Sequence, residues 1–265
     1  MEPLDVIFCV NSGRVGSQYL ASLVDTTIEA HGLHEPDPVM GGPFLRMVAA
    51  SPEEESFSER LVKCRAIEDW MERNGTKPIY CETNHLFVVT FHDVAAATFP
   101  RMRVIYLRRA LPLVVKSFVE LGYMSSVDPG SPDSMISPNA VTAAIPAVAQ
   151  DADLDHVDLV IAHLIDMEAR GARFRAVHPE IPAIDARLEE IVTPDGAGRL
   201  LDGLGLTPSD ETAAAVAGEP VNHKIRKKRK RGLAIAVDEC RRRIERYLER
   251  AEQLGIEVPS SLPLD

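Results

Sequence analysis

The stretch "VIFCVNSGRVGSQYLASLV", Val6 to Val24, constrains the fold more than any other part of the chain. Val6–Val10 is a short apolar run, Asn11–Gly16 is turn-like, and from Tyr19 onward apolar residues recur at helical spacing. A strand is predicted to enter a glycine turn that opens a helix. Backbone N–H groups at a helix start are unpaired, and the helix dipole favours negative charge there, so such a turn is an anion site. Gly13 and Gly16 permit tight turning and close approach of a ligand. The P-loop pattern G-x-x-x-x-G-K-[ST] is nevertheless absent: Asn11 replaces its first glycine and no Lys follows Gly16. Arg14 sits inside the turn instead, with Ser17 and Gln18 as further donors. A guanidinium fork holds a tetrahedral oxyanion through two bonds and stays charged at any working pH. The plain alternative is a strand–helix turn with a surface arginine.

Strands are predicted at 5–10, 78–83, 103–108 and 181–186. Helical patterns cover 17–31, 53–74, 93–98 and 110–121, a long stretch within 138–176, then 194–204, 209–217 and 232–254. Alternating strands and helices imply crossover connections and a mainly parallel sheet, with ligands at the strands' C-terminal edge. The expected class is α/β, a three-layer α/β/α arrangement in a single domain over 1–265. The segment "GYMSSVDPGSPDSMISPNA", 122–140, is too long for a simple connection and is expected to be a lid, a substrate loop or a locally disordered stretch.

Net charge is −11, which disfavours nucleic acid or an anionic membrane surface as partner. Cys9, Cys64, Cys81 and Cys240 are scattered, with no CxxC pair, and read as reduced thiols, not as a disulfide frame or zinc site. No apolar run approaches the ~20 residues that span a bilayer, and "MEPLD" has no signal-peptide character. The expectation is a soluble cytoplasmic protein without a metal.

"VIYLRRALPLVVKSF" repeats the logic of the first loop: an apolar strand ends in two arginines and a helix follows. Arg109 and Ser117 lie eight residues apart, about two helical turns, so a strand-end arginine and a helix serine could grip one more phosphate. An amphipathic helix with a satisfied Ser and an exposed Arg is the alternative.

Together these residues resemble the PAPS-dependent sulfotransferases, which move a sulfuryl group from 3′-phosphoadenosine 5′-phosphosulfate (PAPS) to an alcohol, phenol or amine. Members carry [RK]-S-G-[ST]-[ST] after the first strand; "RVGSQ" is similar, with Val15 for Ser and Gln18 for Ser/Thr. The resemblance implies that Arg14, Val15, Gly16, Ser17 and Gln18 hold the phosphosulfate, and Arg109 and Ser117 the 3′-phosphate. The family's R-D-P-R reads "RALP" here, and "LEEIVTP", 188–194, stands where members have YEDLVxxP. Members also place a basic segment late in the chain over the cofactor. "VNHKIRKKRKR", 221–231, with Lys227 and Lys228 at its centre, has that position and charge. The implied fold is the P-loop-like sulfotransferase fold, nearest in motif layout to the carbohydrate and tyrosylprotein branch.

Sulfuryl transfer needs positioning, charge stabilisation and a base for the acceptor hydroxyl. By resemblance that base is Glu35 in "HGLHEPDP", with Arg14 clamping the transferring group. The rival is His85 in "YCETNHLF", because the cytosolic branch uses a His from a comparable region. Glu82, Asn84 and His34 are candidates for orienting the acceptor, a small-molecule, carbohydrate or peptide hydroxyl. Two other readings stand beside this one. A small-molecule or nucleotide kinase would need a loop Lys and Mg²⁺ ligands. A non-catalytic nucleotide-binding protein of the same fold would bind without transfer. The 232–254 helix can pack on its own domain or on a second copy.

Overall fold

The computed structural model describes residues 2–125, 131–149, 154–218 and 232–265. In chain order the elements are β1 (Asp5–Val10), α1 (Ser17–Asp25), β2 (Ala30–His34), α2 (Pro43–Ala50), α3 (Val62–Asn74) and β3 (Ile79–Thr83). A π-helical stretch, Phe87–Phe91, leads into α4 (His92–Thr98). Then come β4 (Arg101–Arg108), α5 (Leu111–Leu121), α6 (His156–Val177), β5 (Ala183–Arg187), α7 (Pro194–Gly203), α8 (Asp210–Ala217) and α9 (Val237–Gln253). The five strands form one sheet in the order β2-β3-β1-β4-β5, and every neighbouring pair is parallel.

Strand side chains alternate between the two faces of a sheet, and here both faces are apolar. Ile7 and Cys9 of β1 join one core, with Leu20 and Leu23 of α1, Val115 of α5 and Tyr247 of α9. Val6 and Phe8 join the other, with Val48 of α2, Ile67 of α3 and Phe174 of α6. Helices therefore cover both faces, giving three layers. Phe8 anchors the second core by stacking on Phe87 at 4.7 Å, with Phe91 edge-on. Burying one such side chain fully contributes about 1.5–3 kcal/mol.

The predicted 17–31 helix is a correction. It ends at Asp25, and a fifth strand, β2, begins at Ala30. Thr26 and Thr27 turn their hydroxyls back onto the carbonyls of Leu23 and Val24, taking up the helix's last acceptors. The strand that follows can pack against α1 because of Gly32: a Cβ there would lie 2.0 Å from the Ala21 carbonyl oxygen. Two further corrections concern helices. α2 lies inside a stretch in which no helix is predicted, and the long helix starts at His156. Of the expected lid, 122–125 and 131–140 are described and include a short helical turn, Ser131–Ser134. The basic segment with Lys227 and Lys228 lies outside the described residues. Among the described residues no helix is long and apolar enough to cross a membrane, and no group of three or more His, Cys, Asp or Glu could hold a metal.

Candidate active site at the strand edge

The turn after β1 has an unusual backbone. Gly13, Arg14 and Gly16 all have positive φ, at 79°, 59° and 93°. Arg14 is the telling one, since a non-glycine residue in the left-handed region carries strain that surrounding structure must impose. At Gly16 the constraint is also steric: a Cβ would meet Leu188 Cδ1 at 2.4 Å. Leu188 opens the "LEEIVTP" stretch, whose Ile191 carbonyl accepts from the Tyr19 hydroxyl at 3.0 Å. The start of α1 has no side-chain cap and no acid in its first turn. By contrast α6, α7 and α8 are capped by Asp155, Thr193 and Ser209.

The first and second loops meet. Arg14 Nε donates to Ser117 Oγ at 3.3 Å, and Arg109 Nη1 donates to the Arg14 carbonyl at 3.3 Å. The two arginines and Ser117 thus converge beside the uncapped start of α1. Ser17 is buried and Gln18 half-buried. Val15 points the other way, into the core with Leu111 and Val114. That inward turn accounts for an apolar residue in a loop otherwise made of donors. The donor set of two guanidiniums and a hydroxyl beside a helix start suits a compact polyanion such as phosphate or sulfate.

Glu35 and His85 are partners. Adjacent strands β2 and β3 deliver both to one edge, and His85 Nδ1 lies 2.7 Å from Glu35 Oε1. His85 Nε2 is 2.8 Å from the Ser134 carbonyl, which can only accept, so Nε2 carries a proton. Burial alone would depress His85, but the Glu35 carboxylate and the Ser134 carbonyl outweigh it and hold its pKa above the ordinary 6.5. Burial would likewise raise Glu35, yet the His85 bond and the charges of His85, His34 and Arg14 bring it below the ordinary carboxylate value. Each group therefore favours the charged form of the other. Glu35 is the second strained residue of the site, with φ 48°. A Cβ at Gly13 would lie 3.8 Å from His85 Cβ, so the ion pair and the Arg14 turn are neighbours.

The other expected site residues part company here. His34 is exposed, and its Nδ1 sits 3.0 Å from both the carbonyl and the hydroxyl of Thr83. Glu82 and Asn84 have no exposed surface. Glu82 accepts from Tyr80 Oη at 2.7 Å and Asn84 Nδ2 at 3.0 Å, and pairs with Lys63 Nζ at 2.8 Å. Asn84 also donates to the Val39 carbonyl. Both side chains are buried on protein partners. Lys63 was not singled out from the sequence, although one signal marks it. It shares a helix face with Ile67 and Trp70, four and seven residues on, where a cation is out of place.

No protein-family model and no curated protein matches the sequence. Solved structures do match. The sulfotransferase domain from the curacin biosynthetic pathway is 15% identical with a TM-score of 0.55, over 97% of this chain and 99% of that one. The sulfotransferase domain of the Synechococcus PCC 7002 olefin synthase is 13% identical with a TM-score of 0.53, over 97% and 96%. End to end, the chain has the fold of the sulfotransferase domains.

Proposed function

We propose that this protein is a PAPS-dependent sulfotransferase that acts on a hydroxyl acceptor, with Glu35 as general base. The observation that carries the reading is the junction of two arrangements at one strand edge. The Arg14–Ser117–Arg109 cluster offers donors to a polyanion, and the Glu35–His85 pair offers a carboxylate beside it. PAPS would supply an activated sulfuryl group with a good leaving group. Arg14, Ser17, Gln18 and the start of α1 would hold its phosphosulfate end, and Arg109 with Ser117 its 3′-phosphate.

The chain's own part is positioning and proton handling. Glu35 spends Oε1 on His85, which leaves Oε2 to take the acceptor's proton. A carboxylate below its ordinary pKa is a weak base toward a resting alcohol. It is sufficient late in transfer, when the alcohol oxygen is bonding to an electrophile and has become acidic. His85, held by the Ser134 carbonyl, fixes the carboxylate's rotamer and so acts as a positioning residue. Arg14, near enough to lower Glu35's pKa, sits where it can also offset charge on the transferring group.

The test has two arms. Calorimetry should show PAP, the product nucleotide of PAPS, binding in preference to ATP. Glu35→Gln should keep PAP affinity while PAP release from PAPS, across a panel of alcohols and phenols, drops by about 10²–10⁴-fold. Near-normal turnover in Glu35→Gln would sink the base assignment. Mg²⁺-dependent ATP turnover would favour a kinase instead.

A further inference from the structure

Directly after Glu35 the backbone turns its carbonyls inward. Pro36, Pro38 and Val39 all present carbonyl oxygens to the interior, and two of these residues are prolines with no N–H to offer. Buried carbonyls need donors. The donors come from the ammonium of Lys63, which is 1% exposed, and from Asn84. Lys63 Nζ lies 2.9 Å from the Pro36 carbonyl, 3.0 Å from the Pro38 carbonyl and 2.8 Å from Glu82 Oε1. An ammonium has three N–H bonds, and all three are used. Glu82 in turn accepts from Lys63, Asn84 and Tyr80.

A buried ion pair is seldom the most stable filling for a core, and an apolar pair of similar volume often matches or exceeds it. Burial strength therefore does not account for this one. Its geometry points to another role, because its free donors go to the turn that carries Glu35. Glu35 is held in a left-handed backbone conformation, with its amide on the Thr83 carbonyl at 3.3 Å. A strained conformation persists only where neighbours over-determine it. The Thr83 bond fixes the residue on one side and the Lys63 clamp fixes the next residues on the other.

We propose that the Lys63–Glu82 ion pair is a positioning device for Glu35: it clamps the 36–39 turn and so keeps the Glu35 carboxylate on His85. The proposal rests on Glu35 being the base of the proposed reaction only for its catalytic consequence; the clamp itself is a statement about the Glu35–His85 contact. It also gives Glu82 and Asn84 a role that acceptor contact does not.

The test replaces the pair by neutral side chains of similar size, Lys63→Met with Glu82→Gln, and follows the His85 imidazole by NMR titration. The charged and titratable groups around the Glu35–His85 contact are His163 near His85, and His34 and Arg14 near Glu35. None is altered. With the clamp gone and Glu35 released, His85 loses the hydrogen bond and close charge of its carboxylate, and its titration should move to lower pH than in the natural protein. PAP affinity should stay within threefold, and PAP release from PAPS with an accepted alcohol should fall at least tenfold. An unchanged His85 titration in the double variant overturns the proposal. So does loss of PAP binding together with the His85 shift, since that marks general damage. Should the double variant not fold, Lys63→Gln with Glu82→Gln gives the same readout, because it leaves no unpaired buried charge while the shorter amide cannot hold both the Pro36 and Pro38 carbonyls. Glu35→Gln run in parallel separates the two claims. Normal turnover there with a lowered His85 titration in the clamp variant removes the base assignment and leaves the clamp standing.

Discussion

His163 makes the protein's stability depend on pH in a way that can be worked through. Its ring is 1% exposed, on α6, with Nδ1 3.1 Å from the Ile136 carbonyl and no partner for Nε2 among the described residues. A carbonyl only accepts, so Nδ1 carries the proton and Nε2 is bare. Burial lowers the pKa from 6.5 to about 4, against the pull of nearby Asp166. Below 6.5 the unfolded chain takes up a proton that the folded ring refuses, so stability falls as pH drops toward 4. Between pH 7 and pH 5 the loss from this one residue is about 2 kcal/mol, a large share of the roughly 5–15 kcal/mol that holds a typical domain folded. His163→Asn removes the titration while its amide N–H can still reach the Ile136 carbonyl. Urea unfolding at pH 7, 6 and 5 should show the variant losing about 2 kcal/mol less than the natural protein over that range. The comparison of slopes cancels any pH-independent cost of the substitution, and it also cancels Glu53 and His85, whose raised pKa values favour the folded state as pH falls. Equal slopes would refute a neutral, buried His163.

Other outcomes follow from the same structure. Gly32→Ala should destabilise by about 3 kcal/mol or more, read as a drop in the urea midpoint, because its Cβ would sit 2.0 Å from the Ala21 carbonyl oxygen and backbone cannot yield cheaply. Arg14→Ala should weaken PAP binding by at least tenfold in calorimetry, since it removes a charged donor from the cluster with Ser117 and Arg109. The pH profile of turnover should hold a plateau between an acid limb below 4.5, as Glu35 protonates, and an alkaline limb above 6.5, as His85 loses its proton. In His85→Gln the alkaline limb should vanish.

The parts of the site read most readily from sequence are those whose chemistry is local. The Arg14 turn and the Arg109–Ser117 pair each lie within one strand–turn–helix unit, so spacing alone places their residues. Their meeting is long-range, made by β1 and β4 pairing as neighbours. Glu35 and His85 look like rivals for one role in a linear reading because nothing in either segment announces the other. Only the adjacency of β2 and β3 joins them. β2 itself was hidden because "AHGLH" continues a helix-like spacing, and the glycine that lets it cross α1 carries no side chain to betray the contact. The burial of Glu82 and Asn84 is hidden from a linear reading for a related reason. A carboxylate at a strand's C-terminal end suggests a ligand, and its burial depends on Lys63 arriving from a separate helix.

The last described segment folds back onto the strand edge. The Leu111 amide donates to the Pro263 carbonyl at 2.7 Å, Ser261 Oγ donates to Glu168 at 2.6 Å, and Arg187 reaches the Asp265 carbonyl. All five strands run the same way, so this segment lies on the side of Arg14 and Glu35, while Asp5, where β1 starts, lies on the opposite side. Handling of the protein should respect that polarity. A label attached at Leu264 sits among the loops that would receive cofactor and acceptor. One attached at Asp5 sits at the opposite end of the strands and leaves those loops clear.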